Sequence, residues 1–200
     1  MPSRFSPPQT TYQAYLFDCD GTLADSMPAH FQAWRRALNQ SAAPFEFTWE
    51  LFLKRAGMSL ERTVVELCAE FQCDLDADRV AAAQRRFFQE EESAIQPIHE
   101  VVEFARKLAG QAPLAVASGS QRATVHTTLQ HLGIFDIFDV IVTPEDVEKG
   151  KPYPDMFLLA AKILKTRPED CLVLEDAELG FEAARRAGMA FARVGPPEHS

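Results

Sequence analysis

Two carboxylates two residues apart, Asp18 and Asp20, follow the apolar run Ala14-Tyr15-Leu16-Phe17 and precede a glycine, Gly21. In an extended segment, side chains at i and i+2 point the same way, so both acids can converge on one small site. Acids held that close repel unless a cation lies between or beside them. A hard, oxygen-seeking ion such as Mg²⁺ suits the pair, because it takes one or two carboxylates and fills its shell with water and phosphate oxygens. The chemistry that follows is phosphoryl transfer, with Asp18 as nucleophile and Asp20 as acid and base. The plainer alternative is a strand-end turn in which the two acids cap backbone amides.

Three more apolar runs end in residues that such chemistry requires. Leu114 to Ala117 is followed by Ser118-Gly119-Ser120, where a hydroxyl and free amides can hold phosphate oxygens at a helix N-terminus or simply cap that helix. Beyond Val140 to Val142 comes Gly150-Lys151-Pro152, in which Lys151 either neutralises a carboxylate and a phosphoryl group or is a solvated surface charge. Cys171 to Leu174 leads into Glu175-Asp176, and four acids at two strand ends make a hard-metal site credible.

A local cation is needed because the chain as a whole is acidic. Its 20 basic and 29 acidic residues give a net charge of -9, which argues against nucleic acid or an anionic membrane as partner. A phosphate substrate would be repelled by that field, so attraction has to come from a metal ion and a few placed Lys or Arg side chains. Cys19, Cys68, Cys73 and Cys171 have neither C-x-x-C spacing nor a matching His cluster and read as reduced core thiols. Residues 1 to 11 lack an apolar leader core and no stretch of about 18 apolar residues occurs, so a cytoplasmic, non-membrane protein is expected.

The elements that must position these residues alternate. The strand-length runs above, with Phe191 to Val194, are interleaved with helical patterns at Glu100 to Ala109, Arg122 to Leu132, Asp155 to Leu164 and Glu178 to Ala187. This predicts an α/β fold, a Rossmann-like parallel sheet with helices on both faces, whose ligands bind at the carboxyl ends of the strands. Residues 23 to 98 read as helix throughout, with stripes such as Phe31, Trp34 and Leu38, and Val64, Leu67 and Phe71. An all-α insertion directly after the catalytic turn could act as a lid. The expected division is a core of 1–22 and 94–200 and a helical cap of 23–93.

In order and spacing, FDCDGT, AVASGS, GKPYPD and LEDAELG resemble the four motifs of the haloacid dehalogenase superfamily. The helical insertion and the run from Asp25 to Trp34 resemble its β-phosphoglucomutase-like subgroup. The resemblance implies that Asp18 attacks phosphorus to form an aspartyl phosphate, while Asp20 protonates the leaving group and then activates water. It implies Mg²⁺ held by Asp18, the Asp20 carbonyl and Asp176, with Glu175 in or beside that shell, and Ser118 and Lys151 on the phosphoryl group. It also sets Gly21, Gly57, Gly119, Ser120, His30 and Arg62 against the substrate. His30 is otherwise a solvated helix histidine and Arg62 a surface charge. Ala177 stands where the family often has Ser.

Three departures separate the chain from the mutases of the subgroup. Leu60 occupies the usual Arg position of the cap loop, residues 85 to 92 read RRFFQEEE where a late cap Lys is common, and Gln121-Arg122 follow Ser120 in place of a Lys. GMSLERT and IQPIHEVVEFARKL look most like bacterial phosphatases that accept fructose 1-phosphate and 6-phosphogluconate. A phosphorylated sugar as substrate and a monomeric enzyme are therefore expected. A phosphosugar isomerase is the second reading. A dehalogenase would need no Mg²⁺ and usually lacks the second Asp, and a non-catalytic binding protein would have lost a nucleophile or metal ligand.

Overall fold

The computed structural model describes residues 4–195. Five strands, β1 (Ala14–Phe17), β2 (Leu114–Ala117), β3 (Val140–Val142), β4 (Cys171–Glu175) and β5 (Ala190–Arg193), form one parallel sheet in the order β3-β2-β1-β4-β5. Every residue of β1, β2 and β4 is buried, as expected of central strands covered on both faces. The two faces divide by the period of two. Tyr15, Phe17, Leu114, Val116, Leu172 and Leu174 join one cluster with α5 (His99–Leu108) and α6 (Arg122–His131). Leu16, Ala115, Ala117 and Val173 join another with α7 (Asp155–Ile163) and α8 (Glu178–Ala187). Leu16 pairs with both Ala115 and Val173, which brings the ends of β2, β1 and β4 level and sets their three following loops side by side.

Between β1 and β2 lie α1 (Met27–Gln40), α2 (Trp49–Leu53), α3 (Leu60–Phe71) and α4 (Ala77–Glu91). They bury a third cluster of their own, with Met27, Trp34, Leu38, Phe47, Phe52, Val64, Leu67 and Val80 at its centre. Ala33 and Phe88 instead join the sheet's own cluster, tying α1 and α4 to the strands. This stretch is not helical throughout, contrary to the periodicity. Residues 41–48 are irregular, because Pro44 cannot continue a helix and Thr48 starts a new one by accepting the Leu51 amide at 3.3 Å. In that extended piece Phe45 stacks on Phe71 with ring centroids 4.2 Å apart, while Phe47 faces Trp34 at 5.9 Å. Helix α3 ends where Gln72 turns left-handed at φ 51°. The last strand starts one residue earlier than expected, at Ala190, in register with Leu172. Among the described residues no helix is long and apolar enough to cross a membrane.

Candidate active site

The loop after β1 folds back at once: the Cys19 carbonyl accepts the amides of Leu23 and Ala24, both at 2.9 Å, and the Gly21 amide donates to Ala24 at 2.8 Å. Gly21 has φ 85°, and a Cβ there would lie 2.2 Å from Asp176 Oδ2. Only glycine lets the β1 turn and the β4 turn approach this closely. Gly180 is constrained in the same way, since a Cβ would fall 1.9 Å from Glu175 Oε1.

The approach gathers three acids. Asp18, Glu175 and Asp176 each offer an oxygen, all within 4.8 Å of one another. Lys151, 1% exposed, donates from Nζ to Asp18 Oδ1 at 2.6 Å and to Glu175 Oε1 at 2.5 Å. With all three ionised, the carboxylates against one ammonium would leave an excess of two negative charges in a buried place. Burial therefore raises the Asp18 carboxyl, Lys151 pulls it down, and Glu175 and Asp20 push it up again, leaving it at about 8. Burial, Glu175 and Asp18 likewise raise Asp176 well above the carboxylate range. Lys151 would lose its proton by burial, but Asp18 and Glu175 hold its pKa above the usual lysine value. A divalent cation would supply the missing two charges, and the donor set of hard oxygens fits one. Glu175 is the least free of the three: its Oε2 already accepts the amides of Asp176 and Ala177, both at 2.8 Å.

Asp20 is set apart from this cluster by its partners. Oδ1 accepts Ser26 Oγ at 2.7 Å and His30 Nε2 at 3.0 Å, and Oδ2 accepts Ser120 Oγ at 2.7 Å. Burial alone would raise this carboxyl, but His30, Ser120 and Ser26 outweigh it and hold the group below the ordinary range. Two acids on one turn thus have opposite tendencies in the metal-free protein, Asp18 towards its protonated form and Asp20 towards its ionised form, and a cation beside Asp18 would reverse the first of these. His30 is held in turn by Gln84, whose Nε2 lies 3.2 Å from Nδ1, and by Phe88, stacked on the ring at 3.8 Å. With Nε2–H directed at Asp20, Nδ1 is the acceptor of the Gln84 amide.

Ser118 is 1% exposed, and its Oγ accepts the Ser120 amide at 3.0 Å. Asp18, Asp20, Ser118, Gly119, Ser120, His30, Gly57 and Asp176 line one cavity of about 60 Å³, closed on its other side by Met27, Trp34, Phe47, Phe52, Arg55 and Leu60. Gly119 allows the closure: a Cβ there would sit 2.5 Å from the Gly57 carbonyl oxygen. Arg62, expected at the substrate, lines a separate hollow beside Tyr153. It pairs with Glu66 at 3.2 Å and donates to the Lys151 carbonyl at 3.3 Å, so it ties the helical segment to the Lys151 loop. Arg85 and Arg86 bond Glu61 and Gln40, each at 2.8 Å. From α4, Gln84 acts on the site through its bond to His30. It interrupts the apolar stripe of Val80, Ala83 and Phe88, a signal visible in the sequence. Arg55 and Ser26 were missed as well; neither type nor spacing marks them before the fold is known.

A family model for haloacid dehalogenase-like hydrolases matches residues 12–188. The chain belongs to that family. It is 33% identical over 180 residues to fructose-1-phosphate phosphatase YqaB of Escherichia coli, covering 89% of this chain and 94% of that one. It is also 33% identical over 190 residues to the β-phosphoglucomutase of Bacillus subtilis, covering 92% and 83%. The crystal structure of a hydrolase from Pseudomonas syringae superimposes with a TM-score of 0.81 at 28% identity, over 90% of this chain and 83% of that one.

Proposed function

We propose that this hydrolase is a Mg²⁺-dependent phosphatase of small phosphorylated sugars, with residues 1–22 and 94–200 as its core and 23–93 as a cap over the site. The observation that carries the reading is the buried cluster of Asp18, Lys151, Glu175 and Asp176 beside a separately held Asp20. Mg²⁺ would be held by Asp18 and Asp176 with the Asp20 carbonyl, and would supply positive charge to the phosphoryl oxygens. Asp18 Oδ, ionised beside the metal, attacks phosphorus, and the bond to the leaving oxygen breaks as Asp20, which takes up a proton when substrate displaces its present hydrogen-bond donors, gives that oxygen the proton. Asp20, now ionised, takes a proton from water as the water attacks the aspartyl phosphate and frees Asp18. Ser118 and Lys151 hold the phosphoryl oxygens throughout. Uncatalysed phosphate-monoester hydrolysis is slow enough that accelerations of up to about 10²¹ are required, which favours a covalent route with fixed positive charge over water alone.

The likeness to β-phosphoglucomutase supports isomerisation as a second reading, but Leu60 and Gln84 argue against it. Leu60 lines the cavity and Gln84 stands behind His30, and neither supplies the cation that a second phosphate calls for. The test is Mg²⁺-dependent phosphate release from fructose 1-phosphate, 6-phosphogluconate and β-glucose 1-phosphate. Release that requires metal supports the phosphatase. Conversion of β-glucose 1-phosphate to the 6-phosphate, only with a bisphosphate present, moves the assignment to the mutase.

The acid cluster also predicts how metal and pH act together. In the metal-free protein Asp18 titrates at about 8 against an ordinary 3.8, so the fold favours its protonated form. The stability this gives is present below pH 4 and is lost as pH rises through about 8. Asp176 shifts in the same direction, whereas Asp20, shifted down, loses its contribution only in strong acid. Mg²⁺ should therefore raise the melting temperature more at pH 8 than at pH 5. Equal shifts at both pH values, measured by scanning calorimetry against a chelator, would take the ion away from this cluster.

A further inference from the structure

Which part of a substrate the helical wall reads can be argued from the donors left over on it. Three polar side chains on that wall line the cavity, namely His30, Arg55 and Thr63. Both nitrogens of His30 are engaged, by Asp20 and Gln84. The Thr63 hydroxyl donates to the Ser59 carbonyl at 3.0 Å. Arg55 differs. It is 4% exposed, donates from Nη1 to the Leu51 carbonyl at 3.0 Å and from Nη2 to Glu70, and leaves Nε–H buried with no hydrogen-bond partner among the described residues. A buried guanidinium N–H without an acceptor is unfavourable and uncommon, so the working state should provide one.

The charge around Arg55 says what kind of acceptor. Glu70 is its only acidic partner among the described residues, and Lys54 takes the same Glu70 oxygen at 3.0 Å. One carboxylate shared by two cations leaves one positive charge over in the trio, and of the two cations Lys54 is exposed while Arg55 is buried on the helical wall, among Met27, Trp34, Phe47, Phe52 and Leu60. One surplus positive charge matches a carboxylate better than a dianionic phosphate, and a charge-assisted bond is about twice as strong as one to a hydroxyl. Leu60, at the position where the mutases carry their Arg, cannot contribute.

We propose that Arg55 is the specificity-determining residue of this site, and that it selects phosphorylated sugar acids or similar phosphorylated hydroxycarboxylates by binding their carboxylate. This rests on the phosphatase reading and names its substrate class. The transferring phosphate lies at Ser118 and Lys151, and the carboxylate at Arg55 closes the other end of the cavity.

The test compares two substrates of equal length, 6-phosphogluconate and glucitol 6-phosphate, which differ in a carboxylate against a hydroxymethyl group. Wild type should favour the acid in kcat/KM by tenfold or more. Arg55→Met should reduce that ratio about tenfold to a hundredfold, mainly through KM for the acid, and Arg55→Lys should restore part of it. A role confined to bracing the loop against Glu70 would weaken both substrates alike and keep the ratio, which would overturn the proposal. Binding of the same two compounds to Asp18→Asn protein by calorimetry, with and without the Arg55 substitutions, needs no turnover. If no compound releases phosphate, the phosphatase reading fails, and the ratio of the two dissociation constants still decides for or against Arg55. Should Arg55→Met fail to melt cooperatively, Arg55→Lys, which keeps the charge and loses the fork, carries the same comparison.

Discussion

Asp18→Asn should abolish phosphate release, by about a thousandfold or more, while leaving the melting temperature of the metal-free protein unchanged or slightly raised. Loss of turnover follows because an amide offers no ionised oxygen to attack phosphorus. Preservation of the fold follows from electrostatics. Asp18 is 4% exposed among other acids, and with its carboxyl raised to about 8 the metal-free fold already favours the uncharged form at neutral pH. Asn keeps the shape and removes a negative charge from beside Glu175 and Asp176. Phosphate assays run beside thermal melts check both halves. Activity within tenfold of wild type would remove Asp18 as nucleophile, and a collapsed melt would show that its charge is needed for folding.

Lys151→Met carries the larger expected effect on stability. Its ammonium is the common partner of Asp18 and Glu175, and its side chain is fully buried. Taking one member from a buried ion group leaves uncompensated charge and costs about 3–5 kcal/mol, a large share of a typical domain's stability. The loss should be greatest at pH 7 to 8 without metal and smaller at pH 5, where the acids can take up protons, and Mg²⁺ should recover part of it. Urea unfolding at both pH values measures this. A change under about 1 kcal/mol at neutral pH would mean that protonation of the acids, and not Lys151, balances the cluster.

The residues on the ends of β1, β2 and β4 were readable because two simple rules act there together. Apolar runs too short for helices end in polar residues, and parallel strands deliver their carboxyl ends to one edge of the sheet. The structure accordingly brings Asp18, Asp20, Ser118, Ser120, Lys151, Glu175 and Asp176 into one small volume. Between β1 and β2 the same reading was weaker, because helical periodicity says which face is buried and nothing about which end points at a site. Arg62 was favoured by its place in a loop motif, yet its guanidinium lies on the Lys151 carbonyl. Arg55, seven residues earlier, lines the cavity. Distinguishing the two needs the placement of α3, which carries Arg62, against the turn after α2, which carries Arg55, and tertiary packing sets both. The irregular piece at 41–48 was missed for a related reason: Phe45 and Phe47 keep an apolar pattern while the backbone, stopped at Pro44, is extended.

At one point of the seam between the helical segment and the sheet, Gly119 and Gly57 meet backbone against backbone. A contact of that kind depends on two glycines and on no larger side chain, so cavity-lining residues that hold neither Asp20 nor the sheet, such as Trp34, Phe52 and Leu60, can be exchanged without altering it. Substitutions that widen or shift what the enzyme accepts are then separable from those that disable its reaction. A lineage built on this plan can diversify its diet one side chain at a time while the machinery beneath stays untouched.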